Sequence, residues 1–131
     1  TTGLVGSEMC IRDRNSPMYD KKKSGDIKAG SGPALTFGPA VQNNLLDLLI
    51  KTADKKKIKY QLMAASRFTG TDTDAFAYSN EGVASALISL PLKYMHTTVE
   101  TVHKDDVESC INLIYESVLS IKKGQDFRYI K

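Results

Sequence analysis

The sequence predicts an α/β fold in which helices cover a sheet. Short apolar runs of strand length alternate with longer stretches whose apolar residues recur at helical spacing, and no internal repeat interrupts the alternation. Ala34 to Phe37, apolar and β-branched between Pro33 and Gly38, has the pattern of a buried strand. Val41, Leu45, Leu48, Leu49 and Thr52 then share one helix face, and Lys55, Lys56 and Lys57 close that helix where positive charge suits its dipole. Ile58, Tyr60 and Leu62 alternate with Lys59 and Gln61, which predicts a half-exposed strand running to about Ala65.

Further along, Thr69 to Asp74 is rich in side chains that cap helices, and a short helix is expected between that cluster and Gly82. Val83 to Leu90 is an almost unbroken apolar run, as in a strand buried on both faces of a mostly parallel sheet, with Pro91 disrupting or ending it. Leu92 to His103 has no clean period and reads as a functional loop or an irregular edge strand. Asp105 or Asp106 is expected to cap the last helix, whose stripe is Val107, Cys110, Ile111, Ile114, Tyr115, Val118 and Leu119. Lys122, Lys123 and Gly124 close it, leaving Gln125 to Lys131 as a tail. Lys21 to Pro33 carries turn chemistry around one short extended piece and reads as surface loop, with Lys21 to Lys23 a solvated basic run.

With 131 residues, 41% hydrophobic and 25% charged, the chain fits one globular domain or part of one. A net charge of +3, with lysines not interleaved with aromatics, argues against a nucleic-acid partner. No apolar run reaches the roughly 18 residues a membrane-spanning helix needs, and no basic-then-apolar leader opens the chain. A cytoplasmic protein without membrane contact is expected. Cys10 and Cys110 are the only cysteines, and Cys110 falls on a helical apolar stripe, so a structural disulfide is not expected. Residues 1–14 (TTGLVGSEMCIRDR) lack periodicity and resemble the translation of a sequencing adaptor, so residues 15–131 are taken as the native portion.

His96 follows the most buried strand, and ligands of open α/β sheets bind at the carboxyl ends of strands. A neutral imidazole offers a lone pair to zinc and similar metals. The other reading is a hydrogen-bonding or exposed loop histidine, and no HExxH or cysteine pair accompanies His96 to decide between the two. Glu100, four positions on, is a candidate to support a ligand from behind. Asp72 and Asp74 could face one way and serve a metal or an acid–base pair, or could simply cap the short helix. His103 is expected to shape the start of the last helix and is given no catalytic role. No phosphate-binding loop, dinucleotide fingerprint or serine-hydrolase elbow occurs.

Several ordered blocks carry a family resemblance: Lys21 to Lys28 (KKKSGDIK), Gly32-Pro33-Ala34, Gly38 to Asn44 (GPAVQNN), Gly70 to Ala75 (GTDTDA), Gly82 to Glu100 (GVASALISLPLKYMHTTVE) and Asp106-Val107-Glu108. From about Pro17 onward the chain resembles the co-catalytic metallo-aminopeptidases that form tetrahedral TET particles, including glutamyl and deblocking aminopeptidases and members labelled endoglucanase M. The resemblance implies the C-terminal part of a three-layer αβα metallopeptidase domain, with an incomplete sheet and covering helices. It also implies that His96, in Tyr94-Met95-His96-Thr97, is the last protein ligand of a centre holding two divalent ions, zinc or cobalt. Asp74 joins Glu100 as a residue that could stand behind that centre.

The family's remaining ligands and its catalytic glutamate lie upstream of Pro17, so no catalytic residue is expected in this chain, and Asp13 is not promoted to the missing carboxylate. The resemblance therefore implies an intact parent that acts on peptide substrates and assembles into dimers or dodecamers, and a fragment with at most an incomplete metal site and no activity of its own. The competing reading is a non-catalytic α/β binding or assembly module. A fragment of a sheet is also expected to expose an apolar face or unpaired edge.

Overall fold

The computed structural model describes residues 4–6, 11–12, 22, 25–79 and 82–128. The segment from Gly25 to Pro33 is not a free loop. Ile27 is buried, and Gly30 and Gly32 donate their N–H groups to the two carboxylate oxygens of Asp106, 2.7 Å each. An added Cβ on Gly32, whose φ is 95°, would stand 2.3 Å from the Lys59 carbonyl oxygen, so only glycine lets the chain cross there. The expected surface loop is thus a clamp buried at Ile27, Gly32 and Pro33, with Asp26 and Lys28 left exposed. Of the basic run, Lys22 is exposed, and Lys21 and Lys23 lie outside the described residues.

The chain then enters β3 (Ala34–Phe37), following β1 (Leu4–Gly6) and β2 (Ile11–Arg12). Helix α1 (Asn43–Lys56) is capped by Gln42, whose side chain accepts the Leu45 N–H at 3.0 Å, and Lys57 closes it with a φ of 56°. Its buried face is Leu45, Leu46, Leu49, Thr52 and Ala53, turned from the expected stripe so that Leu46 and Ala53 are buried while Leu48 is only half-buried. Each such leucine contributes about 1.5–3 kcal/mol of apolar burial.

Strand β4 (Gln61–Ala64) begins later than the alternation from Ile58 predicted, and Leu62 is 49% exposed. The cause is Gln61, whose amide donates to the carbonyls of Lys28 (2.9 Å) and Gly32 (2.7 Å) while its oxygen accepts the Lys28 N–H (2.9 Å). Turned toward the incoming loop, Gln61 sends Leu62 to the opposite face.

After the short helix α2 (Thr73–Phe76) comes β5 (Ser85–Ser89), buried along its whole length as the apolar run predicted. Among the described residues the first sheet has the order β1-β5-β3-β4, with β1–β5 and β3–β4 parallel and β3–β5 antiparallel. The sheet is therefore mixed where a mostly parallel one was expected. Pro91 does not end the strand region but opens β6 (Pro91–Lys93), a position where its missing N–H costs no ladder bond. β6 joins β2 in parallel and β7 (Thr101–Val102) antiparallel in a second, three-stranded sheet. Both β1 and β2 fall within residues 1–14, so the segment without periodicity adds five backbone positions to the two sheets.

Helix α3 (Lys104–Ser120) packs beside α1, which lies over β5 and β3, and its Cys110 and Leu113 join the same apolar core. His103 caps it, Nδ1 accepting the Asp105 N–H at 3.3 Å, so the expected cap at Asp105 or Asp106 moves two or three residues earlier and His103 does shape the helix start. Asp106 is unavailable as a cap because its carboxylate holds Gly30 and Gly32. The buried face is Asp106, Cys110, Leu113 and Ser117. Ile111, Tyr115, Val118 and Leu119, expected on the core stripe, face outward. A Lys56–Glu116 ion pair of 2.9 Å ties α1 to α3. The tail is also anchored in part: Phe127 is buried and its carbonyl accepts from the side-chain amides of Gln42 and Asn44, the latter at 3.0 Å.

Candidate functional site

β6 and β7 form a hairpin, with Leu92 opposite Val102 and Lys93 opposite Thr101, and residues 94–100 are its loop. Tight turning there needs positive φ at two non-glycine positions, Tyr94 (55°) and His96 (65°). The Thr97 N–H and hydroxyl both reach the Tyr94 carbonyl, at 3.2 and 2.6 Å, and close the first turn. Glu100 closes the second, its carboxylate accepting the backbone N–H of His96. His96 is exposed, and its ring makes no hydrogen bond to another described residue.

The result is a loop fixed through its backbone that leaves one imidazole exposed, and unbonded among the described residues, beyond the strand that follows β5. Of the two readings of Leu92 to His103, a functional loop or an irregular edge strand, residues 94–100 form the loop, and β6 and β7 flank it as short strands. Glu100 accordingly supports His96 through the main chain rather than by orienting the ring.

Asp74 is committed elsewhere. Its carboxylate accepts the Thr69 N–H (3.0 Å to each oxygen), the Thr69 hydroxyl (2.9 Å) and the Gly70 N–H (2.9 Å). Asp72 occupies the N-cap position of α2 without a side-chain cap bond, so the capping chemistry organises the loop before the helix rather than the helix end. Burial pushes the Asp74 carboxyl upward, and the hydrogen bonds from Thr69, Gly70 and Thr71 outweigh it, leaving the pKa below its ordinary value. A carboxylate with a depressed folded pKa stabilises its loop above the ordinary value and loses that contribution as pH falls through the folded one. Amide exchange at Thr69 and Gly70 is therefore expected to accelerate severalfold beyond its intrinsic pH dependence only once the pH drops below the ordinary aspartate range. Asp74→Ala should show that fast exchange already at neutral pH, and protection unchanged in the variant would refute the role.

Among the described residues no three of His, Cys, Asp and Glu stand together as a metal-binding group. Cys110 is free and buried, and desolvation pushes its thiol pKa up, so it is neither nucleophile nor ligand; Cys10 lies outside the described residues. The groove lined by Leu48, Lys51, Lys55, Glu116 and Leu119 runs between α1 and α3, and none of its lining residues comes from the β6–β7 hairpin. It carries no functional argument. What sequence patterns missed is Asp106, a buried carboxylate whose partners are more than seventy positions away.

The model of the M42 glutamyl aminopeptidase family matches residues 7–113. The chain belongs to that family. A lysyl aminopeptidase of Pyrococcus furiosus is 36% identical over 98 residues, covering 75% of this chain and 28% of that protein. The M42 fold is equally clear in solved structures. Aminopeptidase APDkam598 of Desulfurococcus kamchatkensis superposes with a TM-score of 0.74 at 26% identity, over 98% of this chain and 38% of that one. The Pyrococcus horikoshii TET1 peptidase, described as assembling into a tetrahedron or a large octahedral shell, gives 0.61 at 29% identity, over 87% and 31%. This chain thus spans about a third of the length of these relatives, and the expected α/β fold is that of M42 aminopeptidase domains.

Proposed function

We propose that this chain is the C-terminal portion of a metal-dependent aminopeptidase that removes N-terminal residues from peptides with two divalent ions, zinc or cobalt, and that His96 supplies one ligand. The observation that supports the assignment of His96 is an exposed ring on a loop whose backbone is held at both ends, by Thr97 on Tyr94 and by Glu100 on His96 itself. A single nitrogen donor fits a metal centre at one position only, because such a site takes three or four protein ligands. The ions would hold a substrate amine and polarise the scissile carbonyl. Within this chain, His96 offers the ring nitrogen, Glu100 and Thr97 keep the turn from relaxing, and Asp74 keeps its own loop in place.

Residues 1–14 are proposed to be foreign to the parent on their sequence pattern alone. The pairings of β1 and β2 are compatible with this, since an unpaired strand edge accepts any extended segment. The family match begins at residue 7, so amplification across this junction from source DNA is the direct check. The parent is proposed to be a homo-oligomer, from dimer to dodecamer, on the strength of the TET1 relative's shells. A cytoplasmic location agrees with the free buried Cys110; no helix among the described residues is long and apolar enough to cross a membrane.

The test is direct. The purified chain supplied with zinc or cobalt is expected to show no hydrolysis of aminoacyl-nitroanilides, whereas the chain joined to its upstream region is expected to be active. Turnover by the chain alone would overturn the fragment reading.

A further inference from the structure

Two residues of the 94–100 loop sit in the left-handed region, Tyr94 at a φ of 55° and His96 at 65°. Neither is a residue type that such a turn favours. Glycine or asparagine would close it without setting a large side chain against the backbone. The conformation at Tyr94 is nevertheless held, because its carbonyl accepts both the N–H and the hydroxyl of Thr97. Non-glycine residues kept in this region cluster at binding sites, where the surrounding structure imposes what the residue alone avoids.

A solitary exposed tyrosine would need no explanation. Tyr94 differs in its neighbour. Its ring is 55% exposed and bonds to no described residue, and only the half-buried Met95 separates it from His96. Residues two positions apart have Cα atoms at most about 7 Å from one another, a span that a tyrosine side chain can cover. The phenol ring therefore stands within reach of a molecule held at the imidazole. The rest of the loop offers little charge to such a molecule. Val99 is 63% exposed, Thr97 and Thr98 carry hydroxyls, and the one carboxylate, Glu100, already accepts the His96 N–H.

We infer that Tyr94 determines substrate specificity: its ring packs against the side chain of the N-terminal residue to be released, with Val99 extending the apolar surface, so that aromatic and large aliphatic residues are preferred. The inference rests on the reading of His96 as a ligand of an aminopeptidase centre. Such a centre holds the substrate by its free amine and first carbonyl, and both belong to the residue released. That residue's side chain is accordingly what a group beside the centre meets. Lys93, on β6 opposite Thr101, offers the competing preference for an acidic residue.

The test uses the chain joined to its upstream region, with phenylalanyl-, alanyl- and glutamyl-nitroanilides. Tyr94→Ala is expected to lower kcat/KM about tenfold or more for the phenylalanyl substrate, mostly through KM, and less than about threefold for the alanyl one. Bound metal should stay unchanged by elemental analysis. Tyr94→Phe should keep the preference, since the ring and not the hydroxyl makes the contact. Calorimetric titration with free phenylalanine should show the same tenfold weakening in Tyr94→Ala with no turnover involved. In the chain by itself Tyr94→Gly is expected to raise the urea midpoint, which separates the loss of preference from a folding defect. An unmodified parent that does not favour the phenylalanyl over the alanyl substrate would overturn the inference. So would equal losses on all three substrates, phenylalanine binding indifferent to Tyr94→Ala, or a glutamyl preference that Lys93→Ala abolishes. Failure of the ligand reading shows separately, as a His96→Gly parent with full metal content.

Discussion

Asp106→Ala is expected to destabilise the chain by about 3–5 kcal/mol, seen as a large drop in the urea midpoint. The Asp106 side chain is completely buried and accepts two N–H groups at 2.7 Å, from Gly30 and Gly32. Hydrogen bonds to a charged acceptor contribute about 1.5–3 kcal/mol each, and alanine would leave both donors without a partner in a site that water does not reach freely. The loss approaches the whole stability of a small domain. Asp106→Asn should recover only part of it, because one oxygen still accepts while the new amide faces the second N–H. Asp105→Ala, one position earlier and exposed, should stay within about 0.5 kcal/mol. A change below about 1 kcal/mol for Asp106→Ala would show that the clamp is dispensable. Its position also matters for the candidate site. Asp106 fixes the first turn of α3 to the loop before β3, and β7, which returns the His96 hairpin, ends immediately before that turn.

How much of this was legible depended on the range of the contacts involved. β3 and β5 were readable as short unbroken apolar runs and α1 as an apolar repeat of helical spacing, signals that nearby residues carry by themselves. The start of α3 was misplaced by two or three residues because Asp105, Asp106 and His103 all carry capping acceptors, and only the fold shows that Asp106 is taken by glycines more than seventy positions back. Leu62 failed for the same reason, its face being decided by what Gln61 binds in a distant loop. The α3 stripe misled differently. Periodicity detects apolar residues, and a helix apolar on two sides gives the same repeat as one with a broad buried face. Phe127 gave no local pattern at all, since its anchor is the pair Gln42 and Asn44. As for the site, the block around Met95 and His96 pointed to the residue, but the turn that presents it was not visible. Positive φ at Tyr94 and His96 follows from closing a hairpin, and neither residue type announces it.

His96→Gly is expected to separate the chemistry from the fold. In the intact parent, loss of a metal ligand should lower kcat/KM by about a thousandfold or more and reduce the bound metal measured by elemental analysis. In the chain itself the same substitution should leave stability unchanged or raise it by up to about 1 kcal/mol, because at a φ of 65° glycine avoids the strain that a Cβ brings. His96→Ala supplies the comparison: equally inactive, but less stable than the glycine variant since it keeps the Cβ. An exposed histidine with a purely structural role behaves oppositely, its removal costing stability and activity together. A bland loop histidine changes neither. A His96→Gly parent with full metal content and activity within tenfold of the original would therefore remove His96 from the centre. A fold gain paired with a loss of function is what remains if the chain holds this backbone in an unfavourable conformation in order to present the ring.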